Sequence, residues 1–168
     1  MAFTVEDGTI VAGANSYAAT VDADDYFEER GITAWAGTDT QKEQWLVQAT
    51  DYIEMRFAAR FIGERTDVVT PQSLSWPRKN TGVYDSDEIP EPLKRAIYEY
   101  ANKARVAPLV SDPSVDASGL SVQRSRRKVG PIETETQYLG GARRLFKSYP
   151  VPDALIRSLL VSVPGVIR

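Results

Sequence analysis

The chain has 168 residues, 42% of them hydrophobic and 26% charged, and a formal net charge of −3. That suits one soluble globular domain with a real core, and no run of about 18 apolar residues is present to span a membrane. With no cysteine and no histidine, disulfides, thiolate sites, histidine-ligated zinc or iron, and Ser-His-Asp or Cys-His nucleophiles are excluded.

The small net charge hides a gradient. Residues 1–30 hold seven acids and one base, whereas residues 118–168 hold nine bases and three acids. The two ends are expected to meet different partners, or one copy's acidic end a neighbour's basic end. The N-terminus lacks the basic start and apolar core of a signal peptide, which together with the absent cysteines fits synthesis in a cytoplasm.

In chain order, residues 2–18 read as a short extended hairpin, with Phe3-Thr4-Val5 and Thr9-Ile10-Val11 flanking the turn signal Asp7-Gly8. Thr20 reads as the N-cap of a helix that ends near Arg30, before Gly31, with Tyr26 and Phe27 facing inward. Its acids, Asp22, Asp24, Asp25, Glu28 and Glu29, lack a calcium-loop pattern and read as a solvated face rather than a metal site. Thr38 and Gln41 form a capping box. They open a long helix to about Arg60, with Trp45, Ala49, Tyr52, Ile53 and Phe57 inside and Lys42, Glu43, Gln44, Asp51 and Glu54 outside.

Residues 64–88 form the longest irregular stretch, and connections of this length tend to be functional or held by a partner. Within it, Trp76 reads as a plug of the core, while Arg78 and Lys79 are candidates for contacts outside the subunit. A second long helix, about 90–107, opens on Pro90 and Pro92 where a first turn tolerates proline. Leu93, Ala96, Ile97, Tyr100, Ala101 and Ala104 recur along one face of it. Residues 111–119 are a polar, turn-rich linker.

Residues 120–138 read as a β-hairpin around Gly130-Pro131, with Lys128 opposite Glu133 and Arg126 opposite Glu135 if those two residues form the loop. Arg124, Arg126, Arg127 and Lys128, with Glu133 and Glu135, are candidates for subunit contact first and for the wall of a DNA channel second. Arg143, Arg144 and Lys147 follow as possible external contacts. With Tyr138, Phe146 and Tyr149 they form one local cluster of bases and aromatics on which nucleotides could stack. Residues 152–160 read as a last short helix, and the apolar tail after it has no evident core to join, so it needs a partner.

No phosphate-binding glycine loop, dinucleotide fingerprint or nucleophile elbow occurs, and no zinc-finger, homeodomain or RNA-recognition signature. The expectation is a protein that is not an enzyme and uses neither cofactor nor metal.

The fold class expected is mainly α: a small helical bundle with two long antiparallel helices, a projecting β-hairpin and an extended C-terminal arm. Residues 1–150 would form the helical domain and 151–168 the helix and arm.

Two motifs, Leu74-Ser75-Trp76-Pro77-Arg78 and Ile89-Pro90-Glu91-Pro92-Leu93-Lys94-Arg95-Ala96, make the chain resemble the head–tail adaptor (head completion, connector) proteins of tailed bacteriophages. Relatives of that group often carry a DnaT-like single-stranded-DNA-binding label. The resemblance implies a homo-oligomeric ring of about 12 subunits, bound under a portal protein and offered to a downstream neck or tail protein. Double-stranded DNA would pass through the lumen without sequence-specific binding, and no membrane is involved. The protein would reside in the virion neck, and in the host cytoplasm during assembly. A C-terminal portal-docking arm is implied for residues 152–168, with Leu155, Ile156, Leu159, Leu160, Val163, Val166, Ile167 and Arg168 as its contacts. The alternative expectation is a DnaT-like replication accessory protein that binds single-stranded DNA.

Overall fold

The computed structural model describes residues 2–67, 72–110 and 146–161, and the backbone alone of 122–128 and 133–138. The chain divides into two compact units, Met1–Leu109 with Ser148–Arg168, and Val110–Lys147. The last helix lies in the first unit and the hairpin strands in the second.

The described secondary structure is mainly helical. In the first unit, α1 spans Thr20–Glu28, α2 Asp39–Phe57, α3 Glu91–Ala104 and α4 Pro150–Arg157. One 3-10 turn, Ala58–Arg60, prolongs α2, and β1 (Glu64–Arg65) pairs antiparallel with β2 (Arg78–Lys79). No described helix is long and apolar enough to cross a membrane.

Local chemistry explains most boundaries. At α2 the capping box is complete: the Gln41 amide donates to Thr38 Oγ1 (3.3 Å) and the Thr38 amide to Gln41 Oε1 (3.0 Å). Thr20 is not a cap. It is the first residue of α1, and the extended Ala19 precedes it with no side-chain bond. Pro90 precedes α3 and Pro92 sits in its first turn, where no intrahelical amide is lost. At Gly63 (φ +70°) a Cβ would stand 2.4 Å from the Lys79 carbonyl oxygen, so the close approach of β1 and β2 needs glycine there.

Helix α3 packs against both α2 and α4. Leu46, Ala49 and Ile53 of α2, Leu93, Ala96, Ile97 and Tyr100 of α3, and Ile156 beside α4's following Leu159 are all fully buried. Each large apolar side chain among them contributes about 1.5–3 kcal/mol. The expected α2 stripe holds for Ala49, Tyr52, Ile53 and Phe57, but Leu46 takes the innermost place and Trp45 is half-buried.

The N-terminal hairpin does not form. Val5 and Ser16 make a single parallel bridge, and residues 6–11 wind around a buried carboxylate instead. Glu6 is fully buried and accepts from the amides of Gly8 (3.0 Å), Ile10 (3.0 Å) and Val11 (2.9 Å). Ile10 lies at φ +63°, which breaks the second expected strand. A Cβ on Gly8 (φ +107°) would collide with the Asp87 carbonyl oxygen at 1.8 Å, so this loop is seated on the turn before α3.

In the second unit, β3 (Val122–Lys128) and β4 (Glu133–Tyr138) pair antiparallel. Lys128 stands opposite Glu133 and Arg126 opposite Glu135, as the sequence led us to expect. The expected Gly130-Pro131 loop and the linker 111–119 lie outside the described residues.

Candidate interaction surfaces

The motif Leu74-Ser75-Trp76-Pro77-Arg78 is turned inward. Trp76 is fully buried and Leu74 and Ser75 nearly so. The Trp76 ring meets Phe61 edge-on at 5.8 Å and Tyr84 at 5.9 Å. Its backbone amide donates to the Tyr17 hydroxyl (3.0 Å), which in turn donates to Glu54. Ser75 adds its own hydroxyl to the same carboxylate. Glu54 therefore gathers the loop onto α2, although its position in the sequence reads as solvent-facing. Burial and the Glu54 carboxylate push the Tyr17 phenol well above its ordinary range, so Tyr17 stays a donor.

Arg78 is an internal staple rather than an external contact. Nε donates to the Ile62 carbonyl (2.7 Å), Nη1 to Ser75 (3.2 Å) and Nη2 to Gly63 (2.7 Å). Burial, and then the nearby Arg65, lower its pKa; the three carbonyls supply the hydrogen bonds that a buried guanidinium requires. Lys79, its neighbour on β2, is half-buried. Gln72 closes the loop, donating to the Leu74 (2.9 Å) and Pro77 (3.0 Å) carbonyls while accepting from the Asp67 amide (3.2 Å).

Helix α4 is likewise part of the core. Ile156 and Leu159 are fully buried, Leu155 and Leu160 are half-buried, and Val151 and Val161 are exposed. Of the residues expected in a docking arm, Ile156 and Leu159 are thus committed within the chain itself. Val163, Val166, Ile167 and Arg168 lie outside the described residues. After α4 the backbone pairs back: the Ile62 amide donates to the Leu159 carbonyl (3.0 Å) and the Val161 amide to that of Arg60 (2.8 Å).

Asp153 locks this helix. It takes a two-pronged contact from Arg56 of α2 (2.8 and 3.1 Å), the Tyr100 hydroxyl of α3 and the Tyr149 amide (3.2 Å). Rings of Tyr52, Tyr100 and Tyr149 pack edge-on or tilted around it, with centroids 5.0–6.0 Å apart. The Arg56 and Asp153 side chains are only 20% and 16% exposed, so removing one strands a partly desolvated charge. D153A is expected to cost about 1–3 kcal/mol and to speed amide hydrogen exchange in residues 150–161 ahead of α2 and α3. Unchanged exchange there would show that the apolar contacts of α4 suffice.

Two further surfaces lie on the first unit. A cleft of about 330 Å3 beside α1 and α3 interleaves acids with bases: Glu91 pairs with Arg95 (2.9 Å), and Arg30 lies 3.6 Å over the Tyr26 ring. Of the acids expected on a solvated face, Asp24 is bound by Lys42 (2.8 Å) and the Trp35 indole N–H (2.7 Å). On the outer side of α2 lies a groove of about 420 Å3, floored by Phe3 and Val47.

In the hairpin, the register places Arg124, Arg126 and Lys128 on one face, opposite Gln137, Glu135 and Glu133. Arg127 falls on the other face, opposite Thr134. Arg143, Arg144 and Leu145 lie outside the described residues; Phe146 is half-buried and Lys147 exposed. Among the residues whose side chains are described, every tryptophan, tyrosine and phenylalanine is buried or half-buried, and the Tyr138 side chain lies outside that set. The described surface thus offers no fully exposed ring on which a base could stack.

A family model described as "Putative DnaT-like ssDNA binding protein" matches residues 1–167. No curated protein and no solved structure matches the chain.

Proposed function

Starting from the fact that this chain belongs to that DnaT-like family, we propose that it is a structural adaptor of a tailed phage, not an enzyme. In this reading it forms a ring of about 12 copies between the portal and a downstream neck or tail protein. Double-stranded DNA passes through the ring, and the protein resides in the virion neck after assembly in the host cytoplasm. The observation that carries this reading is the inward placement of the aromatics. A sequence-tolerant single-strand binder needs exposed rings along a positive groove; among the residues whose side chains are described no ring is fully exposed, and the unit Met1–Leu109 with Ser148–Arg168 is net negative. The resemblance of its two motifs to adaptor proteins supports the same conclusion. So does the division into a mainly helical unit and a second unit holding the hairpin, since two unlike surfaces suit a head-to-tail contact. The tail beyond Val161 remains the proposed portal contact, with Leu155 and Leu160 at its root.

The family description itself favours a second reading, a single-stranded-DNA-binding accessory protein. Its site would be Arg124, Arg126, Arg127 and Lys128 with the Arg143–Lys147 cluster.

One experiment separates the two. Purified protein is mixed with its cognate portal at physiological salt and the mass of the product measured, while a parallel sample is titrated with labelled single-stranded DNA. The adaptor reading expects a portal-dependent ring and no measurable DNA affinity. Portal indifference would overturn it if accompanied by DNA binding whose log K falls with log salt by about 0.7 per phosphate contact.

A further inference from the structure

The groove on the outer side of α2 has a pattern of its own. Phe3 and Val47 form a half-buried apolar floor, and Glu43, Gln44, Gln48 and Asp51 line its walls. Glu43, Val47 and Asp51 stand at four-residue steps and so share one helical face. At 1.5 Å per residue the two acids are about 12 Å apart along the axis. Some acids of this unit are paired, Asp24 with Lys42, Glu91 with Arg95 and Asp153 with Arg56. Glu43 and Asp51 have no cation among the described residues. Desolvation, and then Glu54 nearby, raise the Asp51 pKa above its ordinary value.

An acid–apolar–acid face of this length takes a segment carrying two cations at the same spacing. Residues four apart on a β-strand share a face and lie about 13 Å apart. Strand β3 satisfies this with Arg124 and Lys128, and Arg126 lies between them on the same face; Glu135 and Glu133 stand opposite Arg126 and Lys128, so the face carries three bases to two acids. The unit that contains it, Val110–Lys147, carries seven bases against four acids, which leaves the rest of the chain at −6. Phosphate is a poor occupant, because both wall charges would repel it.

We infer that the α2 groove is the docking site for the basic strand β3 of a second copy of this chain. Arg124 and Lys128 are the cations matched in spacing to the two carboxylates, with Arg126 between them on the same face. Each copy then offers a groove and gives a strand. Such a contact joins unlike surfaces, so it propagates head to tail and closes into a ring when the rotation permits. This deepens the ring reading and rests on it only for the choice of a second copy as occupant.

The test is sedimentation of the full chain over a concentration series, with and without portal as a template. It compares the wild type with E43K/D51K, R124E/K128E and the fourfold variant that carries both. The wild type should associate, and each double reversal should raise the apparent Kd at least about 10-fold, because like charges then face each other. The fourfold variant should return to within about 3-fold of the wild type, every contact being inverted. A wild-type chain that stays monomeric in both settings overturns the inference. So does association indifferent to E43K/D51K, or a fourfold variant without rescue. If E43K/D51K still assembles normally on portal, the groove is excluded and the adaptor reading stands.

Discussion

Replacing Trp76 with alanine is expected to lower the unfolding free energy by about 3–5 kcal/mol, as for other large-to-small changes of a buried aromatic. Trp76 is fully buried between Phe61 and Tyr84, and its loop neighbours hang on Glu54 and Tyr17 rather than on rigid secondary structure. Against a typical total of about 5–15 kcal/mol, that is a large share. At about 2–4 °C per kcal/mol for a chain of this size, Tm should fall by roughly 10 °C. W76F separates packing from polarity: it keeps a ring and removes an indole N–H that has no partner among the described residues. It should cost much less than W76A. A W76A loss below about 1 kcal/mol in urea unfolding would mean that Trp76 is not the plug of this core.

The second large effect is expected at Glu6. In E6A three amides, those of Gly8, Ile10 and Val11, lose their shared carboxylate acceptor at once. Hydrogen bonds to a charged acceptor contribute about 1.5–3 kcal/mol each, but water can reach part of this loop, so the net cost should be about 2–4 kcal/mol. E6Q retains one oxygen and should fall between E6A and the wild type. Because Gly8 is seated against Asp87, amide exchange should quicken in residues 85–89 as well as in 6–11. Exchange confined to residues 6–11 would show that the loop folds independently of the turn before α3.

These effects bear on how function is assigned. Most of the residues that make the chain resemble phage adaptors, Leu74, Trp76, Arg78, Ile89, Leu93 and Ala96 among them, are interior ones, so their substitution should reduce folded protein rather than partner affinity per folded molecule. Assays of portal or DNA binding with W76A or Arg78 variants must therefore be normalised to folded protein. Surface substitutions at Glu43, Asp51, Arg124 and Lys128 avoid that ambiguity.

Local signals in the chain were strong where one residue's chemistry had one satisfied outcome. The Thr38–Gln41 box, the paired prolines at α3 and the apolar periodicity of Leu93–Ala101 each specify a helix start or face without reference to distant residues, and each is present. The cross-strand pairs Lys128/Glu133 and Arg126/Glu135 follow from a turn centred between two alternating runs, and the register agrees. Where polar residues were concerned, the chain alone misled. Glu6, Glu54 and Arg78 have the composition of a surface, yet Glu6 and Arg78 are buried and Glu54 is a hub.

The division follows from range. Most helix boundaries and the β3–β4 register depend on neighbours within a few residues, so periodicity and capping chemistry specify them from the order of amino acids; the Thr20 cap and the N-terminal hairpin are exceptions and did not form. The fate of a carboxylate or guanidinium depends on acceptors and donors brought from elsewhere. Arg78 needs carbonyls 15 and 16 residues away, Glu54 a tyrosine 37 residues away, and Asp153 an arginine 97 residues away. Burial of a charge becomes favourable only when those partners are already in place, and that is a property of the folded chain.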